Sequence, residues 1–341
     1  SLDPAQGEEA VAYAVEQRVA LLLYDFLKRR PDLSPPACLA ELKRLYRTGT
    51  IRAVQQECEL AALQKIFNAA ELPFMPLKGL LLSRYLYADP ALRPCVDIDL
   101  LVPSAQMTRA AALLRERGYR FLAHWNPRRD RFRRRVSNHW ELFHPERRMV
   151  LELHHQLVSR SCSADLETAG LWPRAQAVEL NGRNYQFMSP EDLLLYLAVH
   201  SAKENWASLL QVYDIALLLS SRFHLDWAAV LARAEEWHCT RRLAIGCALA
   251  AELFQVALPD PLPAAAGRSV SFTADARHRL LTPGPRLQLS RWQEAWNDLA
   301  LAERWRDRLS ILAWKSLNQL AGVTALLPEG AEPAPELEGS G

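Results

Sequence analysis

The run Val96-Asp97-Ile98-Asp99-Leu100-Leu101-Val102, closed by Pro103, decides how the rest of the chain is read. Its branched and apolar residues suit a strand, and proline stops it because it cannot donate to a ladder. On a strand, side chains two apart share a face, so Asp97 and Asp99 point together while Ile98 faces the core. Two like charges side by side in apolar company are costly unless a cation neutralises them. Magnesium, or manganese in its place, held by a few carboxylates and completed by substrate phosphates, meets that need. The plain alternative is a pair of solvated acids at an exposed strand end.

Upstream, the short apolar run Leu72-Pro73-Phe74-Met75-Pro76-Leu77 ends at Lys78-Gly79, and a helical stretch, Leu80 to Tyr87, follows. A glycine between strand and helix lets the backbone approach a phosphate that the helix amides face. Lys78 and Arg93 add positive charge beside the same group. Downstream, Ser104 to Arg117 reads as a helix stopped by Gly118, and Tyr119 to Trp125 as a strand. Trp140 to Phe143 and Met149 to Leu157 flank Pro145-Glu146-Arg147-Arg148 and read as a hairpin. In its second arm Glu152 and His154 share a face, which makes Glu152 the candidate third carboxylate. His154 alone suits a hydrogen-bonded structural histidine better than a ligand.

Both flanks are helical. Residues 9–70 carry apolar residues at three- and four-residue steps, broken by Pro31, Pro35 and Pro36. Ser189-Pro190-Glu191-Asp192 is a strong helix start, with serine as cap, proline in the first turn and acids at the positive end of the dipole. Helices are expected over 190–204, 206–221, 226–237 and 240–257, then a loose Pro-, Ala- and Gly-rich connection from Pro259 to Pro285. A last long helical region, Ser290 to Leu320, bears Trp292, Trp296, Trp305 and Trp314. The fold class is therefore α+β: a small mixed β-sheet core over 71–186, an N-terminal helical segment over 1–70 and a C-terminal helical domain over 187–327. Residues 328–341 have almost nothing to bury and read as a disordered tail.

The helical half offers further polar candidates. His200 and Lys203 stand three apart on one helix face and can address one ligand. Asp214 lies in Leu209-Leu210-Gln211-Val212-Tyr213-Asp214-Ile215-Ala216-Leu217-Leu218-Leu219, where a carboxylate needs a partner. The expected arrangement has Lys203 on the phosphates and Asp214 orienting Lys203 or His200. A purely structural Asp–Lys or Asp–His pair is the alternative.

At this point the residues resemble a known family. LKGLLLSRYLYADPALRPCVDIDLLV, then LELHHQL, then SPEDLLLYLAVHSAKENWASLLQVYDIALLL are similar to the uncharacterised nucleotidyltransferases, a bacterial branch of the polymerase-β-like superfamily. The resemblance covers about residues 60–225. It implies a sheet carrying the metal carboxylates and a helical domain closing over a nucleoside triphosphate. By position it assigns Gly79 to the phosphate loop, Asp97 and Asp99 to the metal pair, and Glu152 to the third acid. Two departures stand out: Leu80 replaces the usual serine or glycine, and the gap from Gly79 to Asp97 is long. Lys78 and Arg93 are expected to take up part of the phosphate contact.

The resemblance implies transfer of a nucleoside monophosphate to a hydroxyl or phosphate acceptor, a small molecule or a peptide. Arg128, Arg129, Arg131, Arg133, Arg134 and Arg135 form the strongest charge run, with Trp125 and Trp140 nearby, and suit an RNA or phosphorylated acceptor. A solvated loop is the competing reading. With 41 basic and 39 acidic residues the net charge is only +2, so nothing global demands nucleic acid. An RNA-directed, toxin-like enzyme and a non-catalytic nucleotide-binding or protein-interaction module remain the alternatives. The tryptophan-bearing helix is a candidate surface for a protein partner. Six scattered cysteines without a CxxC pair suit reduced thiols, hence a cytoplasmic setting. No apolar run reaches spanning length.

Overall fold

A computed structural model of the protein describes residues 3–122, 137–159, 162, 164–220, 222–258, 270–282, 291–309 and 311–312. Helices predominate, and a small mixed sheet sits among them, an α+β arrangement. The N-terminal segment holds α1 (Pro4–Glu16), α2 (Ala20–Leu27) and the 34-residue α3 (Pro36–Ala69). Asp3 caps α1, accepting from the Gln6 N–H, while Gln6 reaches back to the Asp3 N–H. The break between α1 and α2 contains neither proline nor glycine; Arg18 makes it by adopting φ 60°.

The sheet is five-stranded in the order β1-β2-β5-β4-β3. Its members are β1 (Met75–Pro76), β2 (Asp97–Leu101), β3 (Arg120–Phe121), β4 (His139–His144) and β5 (Met149–His154). Between them come α4 (Gly79–Leu86) and α5 (Met107–Glu116). β2 runs parallel to β5, and the other pairings are antiparallel. The register aligns Asp99 with Glu152 and Glu152 with Glu141, and so sets the functional face. The β4–β5 hairpin forms as the alternation requires. Strand β3 is shorter than expected, and residues 123–125 of that call lie outside the described residues.

A second hairpin follows the short α6 (Leu171–Arg174): β6 (Gln176–Leu180) and β7 (Arg183–Phe187). Its turn is Asn181-Gly182 with φ of 47° and 73°, the doubly left-handed geometry that favours this dipeptide. The C-terminal helices are α7 (Pro190–Lys203), α8 (Leu209–Leu219), α9 (Trp227–Glu236) and α10 (Thr240–Phe254). Ser189 caps α7 by accepting from the Asp192 N–H, and Asp226 caps α9 by accepting from the Ala229 N–H.

Two expectations about the C-terminal part are corrected. The stretch from Pro259 to Pro285 is not wholly a connection: it contains α11 (Val270–Leu281), whose Ala276 and Leu280 are buried. Ala276 and Leu280, four apart, share an inward face that composition alone conceals. The last helical region is interrupted after α12 (Arg291–Leu301), where Glu303 turns to accept the Arg241 N–H and Arg241 donates to the Ala300 carbonyl. Trp296 and Trp305 in this region are largely exposed.

Among the described residues the apolar core forms two clusters. The larger runs from Leu60 on α3 through the sheet to α7, α8 and α10; the smaller joins α1, α2 and the start of α3. No helix of the described residues is long and apolar enough to cross a membrane.

Candidate active site

Strand alternation does what the sequence requires of it. Ile98, Leu151 and Leu153 enter the core, while Asp97, Asp99 and Glu152 share the opposite face. Each of the three offers a carboxylate oxygen within 4.8 Å of the others. Asp99 is the inner member, with a fully buried side chain, and Asp97 and Glu152 are half-buried. His154, buried behind them, bridges two of the acids: its Nε2 lies 3.2 Å from Asp99 Oδ1 and 3.0 Å from Glu152 Oε2. Asn138 Nδ2 lies 3.3 Å from the other ring nitrogen of His154, so a neutral His154 accepts there and donates from Nε2.

The charges are only partly balanced. Lys78 Nζ stands 3.3 Å from Asp99 Oδ2 but not in hydrogen-bonding geometry, and that buried oxygen has no hydrogen-bond partner. Burial alone would discharge Lys78, yet Asp99 and the neighbouring acids hold it above the ordinary lysine value. Burial and then the Asp99 charge push Asp97 up to about 6. Burial opposes a charge on Glu152 too, but the hydrogen bond with His154 holds its carboxyl well below the usual range. A buried, unpartnered carboxylate oxygen beside two further acids is the donor set a hard divalent cation takes. The residues present therefore fit such an ion.

The cleft in front of the acids has a volume of about 190 Å³. Gly79, Lys78 and Arg93 line it on the sheet side, and His200, Lys203 and Asp214 line it from α7 and α8. Gly79 needs its φ of 65°, and a Cβ there would sit 3.4 Å from the Asp97 carbonyl oxygen. Eight of the nine core and helical candidates thus line one cleft, and the ninth, Asp99, is buried against its lining residue His154. Arg128, Arg129, Arg131, Arg133, Arg134 and Arg135 lie outside the described residues.

One expected pairing is corrected. Asp214 does not pair with Lys203 or His200; its carboxylate accepts from Arg93 Nε at 3.0 Å, Arg93 Nη2 at 2.9 Å and the Tyr87 hydroxyl at 2.7 Å. Arg93, 121 residues earlier, reaches it because the loop before β2 packs against α8. Lys203 is exposed, and no ion pair holds it among the described residues. His200 is kept neutral: burial, and then the Lys78 charge, push it well below its ordinary value.

Sequence reasoning missed Tyr196, Asn138 and Arg18, all of which line the cleft. Tyr196 was legible, since it precedes His200 by four and Lys203 by seven on one helix face. Asn138 and Arg18 sit in turns and carried no comparable periodic signal.

A small mixed sheet with three converging carboxylates that could hold a metal ion, and a glycine-led helix beside them, meet at one cleft. The chain belongs to the uncharacterised nucleotidyltransferase family, whose model matches residues 3–255. It is a nucleotidyltransferase by that membership. No curated protein matches it. Among solved structures, the lincomycin-bound lincosamide antibiotic adenylyltransferase LnuA is 19% identical, with 48% of this chain and 96% of that chain covered and a TM-score of 0.34. ANT(2'')-Ia in complex with adenylyl-2''-tobramycin is 13% identical, with 53% and 96% covered and a TM-score of 0.37. An antigenic nucleotidyltransferase-like protein from Paracoccidioides brasiliensis is 16% identical, with 50% and 74% covered and a TM-score of 0.31.

Proposed function

We propose that the chain transfers a nucleoside monophosphate from a magnesium-bound nucleoside triphosphate to a hydroxyl or phosphate acceptor and releases pyrophosphate. The observation that carries this reading is the set of three convergent carboxylates, in which the buried Asp99 Oδ2 accepts no hydrogen bond. Asp97, Asp99 and Glu152 would hold the ion, which when bound neutralises phosphate charge and aligns the reacting oxygens. On this reading 71–186 is the catalytic core, and the helices after 187 form the facing wall.

The chain's own groups then have separate tasks. His154 fixes Asp99 and Glu152 by its bridging hydrogen bonds, so the acids need no rearrangement when the ion arrives. The backbone at Gly79 admits a phosphate oxygen to the N-terminus of α4, where the unpaired amides favour negative charge. Lys203, exposed at the mouth, adds a cation to the phosphates. Neutral His200 offers a hydrogen bond to the nucleoside, and the buried Tyr196 ring, 5.9 Å away centroid to centroid, backs it. Arg93 is different: three contacts commit it to Asp214, so it braces the cleft floor instead of moving with substrate.

The test uses each α-labelled nucleoside triphosphate with magnesium, offered small hydroxylated, peptide and RNA acceptors. Magnesium-dependent label transfer by the parent, absent in Asp97→Asn and Asp99→Asn, is expected. Equal magnesium–triphosphate binding by the parent and both variants would sink the site assignment.

A further inference from the structure

The α1–α2 turn lies outside the sheet, yet it contributes to the cleft. Gln17 is buried, and two of its atoms are tied to the start of α8: its Oε1 accepts the Leu209 N–H at 3.1 Å and its carbonyl accepts the Leu210 N–H at 3.3 Å. Ser208, at the cap position of α8, gives that helix no side-chain cap, so Gln17 supplies one from 192 residues away. This clamp fixes the next residue, Arg18, at the cleft mouth.

Three features of Arg18 go together. Its φ of 60° lies in the left-handed region, which a long side chain occupies at a cost. Its guanidinium has no hydrogen bond or ion pair among the described residues, unlike Arg93, which Asp214 neutralises. It also lines the same cleft as Asp97, the half-buried acid, and its charge favours the Asp97 carboxylate. The φ of Arg18 closes α1, with the Val19 N–H donating to the Ala14 carbonyl, and a clamped arginine that lines the cleft with no side-chain partner among the described residues is free to take an anionic ligand.

Resting on the nucleotidyltransferase reading above, we infer that Arg18 binds the terminal phosphates of the triphosphate and holds the departing pyrophosphate. Gly79, Asp97 and Glu152 line the same cleft as Arg18, so phosphates seated beside Gly79 and these acids can reach the guanidinium. A divalent ion leaves part of the triphosphate charge unbalanced, and a planar fork of donors suits the terminal oxygens. Pyrophosphate carries the charge that develops as the bond to the α-phosphorus breaks, so a cation there lowers the barrier as well as aiding binding.

The experiment is titration calorimetry with magnesium and four probes: inorganic triphosphate, pyrophosphate, a nucleoside triphosphate and its monophosphate. Arg18→Ala is expected to weaken the first three by about ten- to a hundred-fold, the span of one charge-assisted contact, and to leave the monophosphate unchanged. Arg18→Lys should recover part of the loss. Arg18→Gly should lose affinity equally while its melting temperature holds or rises, because glycine relaxes the left-handed turn. That split between stability and affinity excludes a merely structural role. Unchanged pyrophosphate affinity in Arg18→Ala, or an equal loss for the monophosphate, would overturn the inference while leaving the nucleotidyltransferase reading intact. A parent protein that binds none of the four with magnesium would overturn both.

Discussion

A lone carboxylate and a cluster of three meet at one cleft and are built on opposite principles. Asp214 is completed by the chain itself, with three contacts from Arg93 and one from Tyr87. Asp97, Asp99 and Glu152 are left short of positive charge: one lysine lies nearby, one histidine bridges two of them, and one buried oxygen has no hydrogen-bond partner. Glu59, behind the sheet, is of the first kind, accepting from Arg117 twice at 2.7 Å and from Tyr119 at 3.1 Å. Among the described residues the other buried acids are matched by arginines, so the incompleteness belongs to the face of Asp97, Asp99 and Glu152.

The contrast can be broken by exchanging the outcomes of substitution. The largest effect belongs to the incomplete cluster: Asp99→Asn should lower nucleotidyl transfer about a thousand-fold or more, as expected when a metal-stabilised charge loses its ligand. Thermal stability should hold or rise, because the change removes repulsion between adjacent acids. A stability loss of several kcal/mol with activity retained would place Asp99 in the structural class.

Asp214→Ala should show the reverse balance. Leaving Arg93 buried and unpaired should cost about 3 kcal/mol or more in denaturant unfolding. Replacing Arg93 by Met and Asp214 by Leu together should recover much of that loss, and additive losses in the double-mutant cycle would show that the pair is not coupled.

Glu59→Gln comes next, at about 2 kcal/mol, since Arg117 keeps partial access to water. Burial opposes the Glu59 charge, but Arg117 prevails and lowers its pKa. Its contribution is therefore present above the unfolded carboxylate pKa and is lost as pH falls through the depressed folded value. Urea midpoints followed from neutral to acid pH should fall more steeply for the parent than for Glu59→Gln. Parallel curves would contradict this assignment.

The smallest effect sharpens the comparison at its edge. Lys203→Ala should leave the melting temperature unmoved, because no ion pair holds Lys203 among the described residues. Magnesium–triphosphate affinity, read by calorimetry, should drop roughly several-fold, the range of a solvent-exposed charge contact. Unaltered affinity would remove Lys203 from the phosphate path.

What the sequence made legible follows the range of the physics involved. Asp97, Asp99 and Glu152 could be placed on one face because strand alternation is local and the hairpin fixes its own register. The partner of Asp214 was not legible: Arg93 is far away in sequence, and the nearer Lys203 and His200 were the natural candidates. Helices α7 to α10 announced themselves through caps and periodicity. The β6–β7 hairpin is weakly announced even though Asn181-Gly182 is a strong turn signal, because its arms are only five residues each and half polar. α11 was hidden by the prolines on either side of it. Arg18 could not be found by pattern, since the turn that positions it has no breaker residue and depends on a clamp formed only in the folded chain.

The long helix α3 touches nearly every part of this arrangement in sequence order. Arg52 donates to the Val96 carbonyl, Gln56 to those of Cys95 and Asp97, Glu59 holds Arg117, and Gln64 donates to the Asn184 carbonyl. Such a helix works as a ruler with fixed marks, and rulers restrict how a lineage can drift in length. One residue inserted between Arg52 and Glu59 would rotate every later mark by about 100° relative to the earlier ones. The same insertion at the Asn181-Gly182 turn would act only locally: a Cβ on Gly182 meets nothing within 4 Å, and the turn meets α3 through Asn181, which donates to Glu57. Relatives should therefore vary in length at that turn and hold the spacing within α3 constant.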